Sequence, residues 1–99
     1  MKENLDFEIK HKQDGSRGIF YMEDEKGIIS DLKYNLHNNN ILSADSTETR
    51  ESFQGKGLAS KVLDHVVNYA REHNIKIDPV CPFVEAKFDE IESYQDVRA

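Results

Sequence analysis

The sequence predicts an α+β fold with a mixed five-stranded sheet. Four antiparallel strands are followed by a long helix, a parallel fifth strand and a short C-terminal helix. Segments of alternating apolar and polar residues, typical of half-buried strands, recur over 7–49 with short turn sequences between them. Apolar residues then recur every three or four positions over 57–73, as in an amphipathic helix. A further alternating segment follows at 75–78.

Two short turns organise the N-terminal half of the predicted sheet. Phe7 and Ile9 alternate with polar residues in the first strand, and turn-forming residues at 13–16 connect it to a second strand at 18–22. A second turn at 25–27 then leads into the third strand. Because these connections are short, the strands they join are expected to pair antiparallel.

The third and fourth strands are predicted at 28–36 and 41–49. The run Asn38-Asn39-Asn40 separates them, since asparagine tolerates the left-handed backbone conformation that tight turns require. Side chains alternate between the two faces of a strand. One face of the third strand is therefore expected to carry Ile28, Ser30, Leu32, Tyr34 and Leu36.

The amphipathic helix over 57–73 is the strongest periodic signal in the chain. Asn74 is expected to end it, and prolines keep the following strand short. A strand, a crossing helix and a return strand form a right-handed unit, which places the fourth and fifth strands side by side and parallel. A short helix is predicted at 83–88 with Pro82 in its first turn, and the last few residues are expected to fray. The apolar positions of the long helix are Leu58, Ala59, Val62, Leu63, Val66, Val67 and Ala70.

Length and composition predict one soluble domain over 1–99. Of the 99 residues, 37% are hydrophobic and 32% are charged, and no apolar run approaches the roughly 18 residues needed to cross a bilayer. The net charge of -6, with 13 scattered Lys and Arg residues, argues against a nucleic-acid partner. Residues 1–7 lack the apolar core of a signal peptide, so a cytoplasmic location is expected. The single cysteine, Cys81, excludes an internal disulfide, and no Cys/His cluster has the spacing of a zinc site.

A glycine-rich turn, Gln54-Gly55-Lys56-Gly57-Leu58-Ala59, opens directly onto the long helix. Glycines allow backbone N–H groups to approach an anion without an intervening side chain. The first turn of the helix adds unpaired N–H donors and the positive end of the helix dipole. This junction therefore predicts a binding site for a pyrophosphate.

The same turn resembles motif A of the GNAT (GCN5-related) acetyl-CoA N-acetyltransferases, written (Arg/Gln)-x-x-Gly-x-(Gly/Ala). Gln54, Gly57 and Ala59 occupy its three specified positions. The wider pattern resembles a minimal family of very small GNAT-like proteins, over about residues 18–97. The segments that carry it include 27–34, Ser46-Thr47-Glu48-Thr49, Tyr69-Ala70-Arg71-Glu72-His73, Pro79-Val80-Cys81-Pro82-Phe83-Val84 and Tyr94-Gln95-Asp96-Val97.

The resemblance implies a GNAT-like fold and a binding site for acetyl-CoA. In such a fold the ends of the fourth and fifth strands separate, and the pantetheine arm lies in the gap. There it pairs with free backbone groups near 45–49. The pyrophosphate would bind the amides of 55–59, with Lys56 as a counter-charge. The implied cofactor-binding residues are Thr47, Thr49, Gln54, Gly55, Lys56, Gly57, Leu58, Ala59, Pro82 and Phe83.

Two residues are candidates for the chemistry of acetyl transfer to an amine. Cys81 lies where the resemblance places the reactive end of the cofactor, and it is either a nucleophile or a small packing residue. Glu48 is a candidate base if its side chain points into the cleft, which strand parity does not decide from one sequence. Phe83 is at least as well explained by packing in the core as by contact with the cofactor. The minimal family usually has histidine at the position of Ser46 and prolines near 50–53, and this chain has neither.

Two functions remain open from the sequence. The first is an acetyl-CoA-binding N-acetyltransferase that acts on an unidentified amine, as a monomer or a weak homodimer. The second follows from the short N-terminal half, which lacks the helices that shape the acceptor site in larger GNAT proteins. In that case the chain is a non-catalytic CoA or acyl-CoA sensor or interaction module.

Overall fold

The computed structural model describes residues 5–99. Residues 1–4, part of the segment considered above for a signal peptide, lie outside that range. In chain order the elements are β1 (Lys10–Asp14), β2 (Arg17–Asp24), β3 (Gly27–His37), β4 (Ile41–Thr49), a 3₁₀ turn (Glu51–Phe53), α1 (Leu58–Glu72), β5 (Lys76–Pro79), α2 (Pro82–Glu90) and a second 3₁₀ segment (Glu92–Val97). The strands form a five-stranded sheet in the order β1-β2-β3-β4-β5. Pairing is antiparallel up to β4 and parallel between β4 and β5, which confirms the predicted fold class.

The N-terminal hairpin forms as predicted, but its first strand is shifted towards the turn. β1 and β2 are joined by a two-residue turn in which Gly15 has a φ of 62°, in the left-handed region. The paired residues of β1 run only from Lys10 to Asp14, so Phe7 and Ile9, predicted in the strand, precede it. Both are partly buried against the core, and Phe7 contacts Phe53 edge-to-face with ring centroids 5.8 Å apart.

A β-bulge between β2 and β3 changes which residues of β3 face the core. The register shifts next to Ile29, which is the extra residue on β3. Ile29 is fully buried, whereas Ile28 is 44% exposed. The prediction that Ile28 lies on the same face as Ser30, Leu32 and Tyr34 is therefore wrong, because the bulge inverts the alternation at this end of the strand. The middle of the predicted face is buried as expected, at Ser30, Leu32 and Tyr34.

A second bulge precedes the point where β4 and β5 separate. Asp45 is the extra residue on β4 opposite β3. On the other side, β5 pairs with β4 only along Ile41–Ala44. One more backbone hydrogen bond follows, from the Cys81 amide to the Ala44 carbonyl at 2.8 Å. The remainder of β4, 45–49, thus lies beyond its pairing with β5.

One face of the sheet is covered by α1, which supplies much of the core. Its buried residues recur at the predicted three- and four-residue spacing and belong to one cluster with Phe20, Leu32 and Leu42 of the sheet. The helix ends before Asn74, whose φ of 55° is the left-handed conformation expected at such a stop. The buried helix residues are Leu58, Val62, Leu63, Val66, Val67 and Ala70.

The chain end packs beside β5 together with α2. Pro82 is in the first turn of α2, where its missing N–H costs no helical hydrogen bond. Contrary to the expected fraying, Arg98 forms a bridge with Ile77, and the Ala99 amide donates to the Ile77 carbonyl at 2.8 Å. Across residues 5–99, no helix is long and apolar enough to span a membrane.

Candidate functional site

The glycine-rich loop has a backbone conformation suited to an anion. Gly55 and Gly57 have φ values of 78° and 77°, in the left-handed region that favours glycine. Gly57 is also the N-cap of α1, and its carbonyl accepts a hydrogen bond from the Lys61 amide at 3.2 Å. The amides of 58–60 therefore precede the hydrogen-bond ladder of the helix. Successive amides in such a turn form a concave site for negative charge.

The side chains of this loop hold it at both ends. Gln54 Nε2 donates to the Thr49 carbonyl at 3.0 Å, which attaches the loop to the end of β4. At the other end Leu58 is buried in the core. Lys56 between them is exposed, and Ala59 is partly buried on α1. The loop is thus fixed on both sides of its two glycines.

Arg50 anchors the approach to this loop. Its guanidinium pairs with both carboxylate oxygens of Asp24, at 2.8 and 2.9 Å, and donates to the Gly27 carbonyl at 2.9 Å. These bonds connect the end of β4 to the turn between β2 and β3. The Arg50 guanidinium lowers the pKa of Asp24 to about 2. No local sequence pattern marks this arginine, because its partner lies 26 residues away.

Cys81 lies beside the gap between β4 and β5, at the N-cap of α2. Cys81 is 7% exposed, and its Sγ lies 3.4 Å from Thr47 Oγ1. Burial raises the pKa of the thiol, but the polar surroundings that favour the thiolate, the Thr47 hydroxyl and the amides of Val84, Phe83 and Thr47, outweigh it. The pKa of Cys81 is therefore below its ordinary value.

Two elements supply the donors around this thiol. The amides of Phe83 and Val84 belong to the first turn of α2, where backbone N–H groups have no partner within the helix. The Thr47 donors come from β4 beyond its pairing with β5. The separation of the two strands thus allows β4 to contact the thiol.

Pro82 and Phe83 follow Cys81 in the first turn of α2. Pro82 is exposed, whereas Phe83 is partly buried against the core and has Lys87 Nζ 5.8 Å from its ring centroid. The ring of Phe83 therefore packs, and its amide faces the thiol. The packing of Phe83 is thus observed, and its contact with the cofactor stays a prediction.

Successive residues of β4 point to opposite faces of the sheet past the bulge. Thr47 contacts Cys81 on the face that α1 covers, and Thr49 lies two residues further on that face. Glu48 lies on the other face, directly opposite Asp31 of β3. The parity that the sequence leaves open is thereby decided, and it separates Glu48 from the thiol by the thickness of the strand.

A cavity of about 560 Å³ borders these residues at the end of β3 and β4. A larger cavity of about 790 Å³ lies towards β1 and is lined by Lys12, Arg17 and Asn35 among others, but it includes none of the predicted site residues. Across residues 5–99, no group of three or more His, Cys, Asp and Glu side chains is placed to hold a metal ion. The smaller cavity is lined by Ile28, Ile29, Asp31, Lys33, Thr47, Glu48, Thr49, Arg50 and Gln54.

Comparison with known proteins agrees with this geometry. The family described as GCN5-related N-acetyl-transferase matches residues 19–97. No curated protein matches the chain. Among solved structures, the chain is similar to a GCN5-like protein from Staphylococcus aureus solved by NMR. The two are 33% identical, with a TM-score of 0.73 over 97% of this chain and 91% of that chain.

Two further structures share the fold at low identity. An IAA acetyltransferase from Bacillus cereus is 17% identical, with a TM-score of 0.54 over 63% of this chain and 42% of that chain. A ribosomal-protein-alanine N-acetyltransferase from Brucella melitensis biovar Abortus is 16% identical, with a TM-score of 0.61 over 87% of this chain and 64% of that chain. With a family match over most of its length and a similar structure of similar size, this chain belongs to the GCN5-related N-acetyltransferases.

Proposed function

We propose that the protein binds acetyl-CoA and transfers its acetyl group to an amine. The proposal depends on one arrangement. The loop with two left-handed glycines is attached to the end of β4, and residues 45–49 of β4 lie beyond its pairing with β5. Gln54 makes that attachment at the end of β4, through its 3.0 Å bond to the Thr49 carbonyl. A pyrophosphate on the amides of 55–59 then continues into a pantetheine arm along 45–49. The residues proposed to lie along the pantetheine arm are Thr47, Thr49 and Phe83. Those proposed to lie at the edges of the path are Lys56, Leu58, Ala59 and Pro82.

Cys81 is the proposed acyl carrier. Its thiolate attacks the thioester carbonyl carbon, and the bond from that carbon to the sulfur of CoA breaks, with CoA leaving as the thiolate. The acceptor amine then attacks the acetyl carbon, and Cys81 leaves as the thiolate again. Glu48 takes the proton that the amine loses, as a general base that lines the cavity of about 560 Å³ together with Thr47. The lowered pKa of Cys81 supports this role, because it raises the thiolate fraction at neutral pH.

A second function is supported by the short connection between β1 and β2. Only Gly15 and Ser16 separate those strands, so no helix from that position covers the sheet face beside Glu48. An acceptor pocket built from the sheet alone is shallow. The alternative is therefore a CoA or acyl-CoA sensor or interaction module that binds the donor without turnover.

We further propose one domain over the whole chain, acting in the cytoplasm on an unidentified amine as a monomer or weak homodimer. Pairing of β1 with β2 supports the inclusion of the residues before the family match. The net charge of -6 argues against a nucleic acid as the partner.

The two functions are distinguished by incubating the purified protein with acetyl-CoA and a panel of amines. Free CoA and the intact mass of the protein are followed, in the wild type and in Cys81→Ala. We expect a protein adduct of about 42 Da, the mass that one acetyl group adds, formed with release of about one CoA per protein, and further CoA release that depends on the amine. The adduct is expected to be absent in Cys81→Ala.

The outcomes separate cleanly. Saturable binding of acetyl-CoA without CoA release across the panel would identify the binding module. CoA release that is unchanged in Cys81→Ala would leave a transferase in which the amine attacks the thioester directly. No binding of acetyl-CoA by the folded protein would refute the proposed function.

A further inference from the structure

The larger cavity, of about 790 Å³, has an apolar residue between two lysines in its wall. Ile19 of β2 lies in direct register with Lys12 of β1 and with Lys33 of β3. Directly opposed residues of antiparallel strands point to the same face of the sheet. Phe20 belongs to the core under α1, so its neighbour Ile19 points to the opposite face. Both lysines are exposed on that face, and Ile19 is partly buried between them.

A third cation lies in the next row of the same face. Arg17 is two residues from Ile19 on β2 and lies directly between Asp14 and Asn35. The Asn35 side-chain amide donates to Asp45 Oδ2 at 2.7 Å. The cavity wall therefore holds three cationic and two anionic side chains, a net charge of +1 in a chain whose net charge is -6.

These cations are not engaged by carboxylates of the chain itself. Among residues 5–99, none of Lys12, Arg17 and Lys33 forms an ion pair. The Lys12 ammonium lies 5.5 Å from the ring centroid of Tyr21. Asp31 lies on the same face as Lys33, two residues away, yet it is 3% exposed and its Oδ1 has no hydrogen-bond partner. Lys33 is therefore not paired with this neighbouring carboxylate, and both ammonium groups can bind an anion from solution.

The composition of the wall determines the class of ligand. A volume of about 790 Å³ is within the usual range for small organic molecules. Ile19 and the aliphatic stems of the two lysines offer apolar surface to the body of such a molecule. The net charge of +1 is balanced by a single negative charge, which favours a carboxylate over a doubly charged phosphate. A second copy of the chain is disfavoured, because it would bring the same cations against this face.

We propose that this cavity binds a small amphipathic monoanion, a carboxylate attached to an apolar body. The strands on either side of β2 lie about 10 Å apart, a distance that the side chains of Lys12 and Lys33 can reach across. The carboxylate accepts hydrogen bonds from these two ammonium groups, with Arg17 beside them, and the apolar body packs on Ile19. Lys33 also borders the cavity of about 560 Å³, so the two sites are adjacent. The inference does not depend on the acetyl transfer proposed above.

The test uses phenylbutyrate as the probe, with phenylbutanol and phenylbutylammonium as its neutral and cationic controls. Binding is followed by amide chemical shifts. In the wild type we expect saturable shifts around Ile19 and Lys33 for the carboxylate and not for either control. Lys12→Met and Lys33→Met keep the apolar stem and remove the charge, so each should weaken binding about threefold and the double variant about tenfold. Lys26→Met, in the exposed turn before β3, is the matched control and should bind as the wild type does.

Each result decides the inference. Equal shifts from phenylbutanol or phenylbutylammonium would overturn it, as would unchanged affinity for phenylbutyrate in the double variant. Phenylbutyrate shifts confined to the loop before α1 would assign the anion to that loop instead. Shifts of this face that depend on protein concentration without any ligand would show that a second copy covers it. Acetyl-CoA is titrated into separate samples, and its failure to bind would refute the proposed function while leaving a phenylbutyrate site in place.

Discussion

At the scale of single residues, the environment of Cys81 decides its chemistry. A small buried cysteine packs as a hydrophobe when its surroundings are apolar. Here the thiol instead faces the Thr47 hydroxyl at 3.4 Å and the first amides of α2. The sequence predicts the helix N-terminus next to Cys81. It does not predict Thr47 as a partner, because the two residues are 34 positions apart.

Thr47→Val is expected to make the thiol less reactive. The variant keeps the branched shape and loses the hydroxyl donor, so the pKa of Cys81 should rise. Alkylation by iodoacetamide near neutral pH should slow about tenfold, the usual scale for one hydrogen bond to a charged group. The measurement is the pH profile of the alkylation rate. Thr47→Ser, which keeps the hydroxyl, should match the wild type. Identical profiles for Thr47→Val and the wild type would show that Thr47 does not lower the pKa of the Cys81 thiol.

At the scale of elements, β2 and β3 pack closely where Gly18 lies beside an aromatic ring. Gly18 pairs with Tyr34 across these strands, and the buried Tyr34 ring covers the glycine. A Cβ at position 18 would lie 2.1 Å from a ring carbon of Tyr34. The sequence predicts Gly18 only as the start of a strand. Its role is therefore packing against an aromatic ring, which no pattern within β2 indicates.

Gly18→Ala should consequently destabilise the sheet. The alanine forces the Tyr34 ring to move within a packed core, and such overpacking costs about 1–3 kcal/mol. The decrease in the free energy of unfolding is measured by urea denaturation, monitored by circular dichroism. The same substitution in a Tyr34→Leu background should cost clearly less, because the ring is gone. Additive effects of the two substitutions would contradict this account.

The loop before α1 makes a separate prediction about ligand binding. Gly57→Ala meets open space, but its φ of 77° disfavours any side chain and should cost about 1–2 kcal/mol of stability. We expect acetyl-CoA to bind the variant more weakly as the loop shifts, measured by calorimetry. Gly15→Ala is the matched control, since Gly15 also has a positive φ and an open surrounding, far from the loop. It should lose stability and keep its affinity for acetyl-CoA.

At the scale of the whole molecule, an aromatic cluster joins the N-terminal hairpin to α1. The His11 ring stacks on Phe20 at 4.0 Å and meets Tyr69 edge-on at 5.1 Å. Its Nε2 forms a 2.6 Å hydrogen bond with Tyr34 Oη. Burial lowers the pKa of His11, and two nearby histidines, His65 of α1 and His73 at its C-cap, lower it further.

This lowered pKa predicts a pH dependence of stability. A histidine with a depressed pKa in the folded state contributes stability that is present above its ordinary pKa of 6.5. That contribution is lost as the pH falls, because the unfolded chain binds the proton first. The midpoint of thermal unfolding should therefore decline between about pH 7.5 and about pH 5. In His11→Phe, which keeps the stacking, the decline should be smaller, and an unchanged decline would assign it to other groups.

The C-terminal segment shows a second long-range connection. Arg71 Nε of α1 pairs with Asp96 at 2.8 Å, and Tyr94 Oη donates to Asp64 at 3.1 Å. These bonds, with the bridge to β5, hold a segment that was predicted to fray. The expectation used only the position of these residues in the chain. Their partners lie on α1, which the sequence does not relate to the chain end.

Several elements were predictable because their determinants are local. The period of α1, the left-handed turn at Asn39 and Asn40, and Pro82 at the start of α2 follow from neighbouring residues. The glycine-rich loop was predictable for the same reason. The two bulges were not, since each depends on the register between strands. One of them makes the prediction for Ile28 wrong, and the other determines which face Glu48 occupies.

The sequence by itself determined the order of strands and helices, the loop before α1 and the presence of one thiol, because spacing and turn chemistry act over a few residues. Only the tertiary structure decided that Arg50 fastens that loop to Asp24, that Thr47 reaches Cys81, and that Asp31 is buried without a partner for Oδ1. Each of these depends on residues brought together from distant strands. Such contacts arise from register and strand separation, which no single segment of the chain encodes.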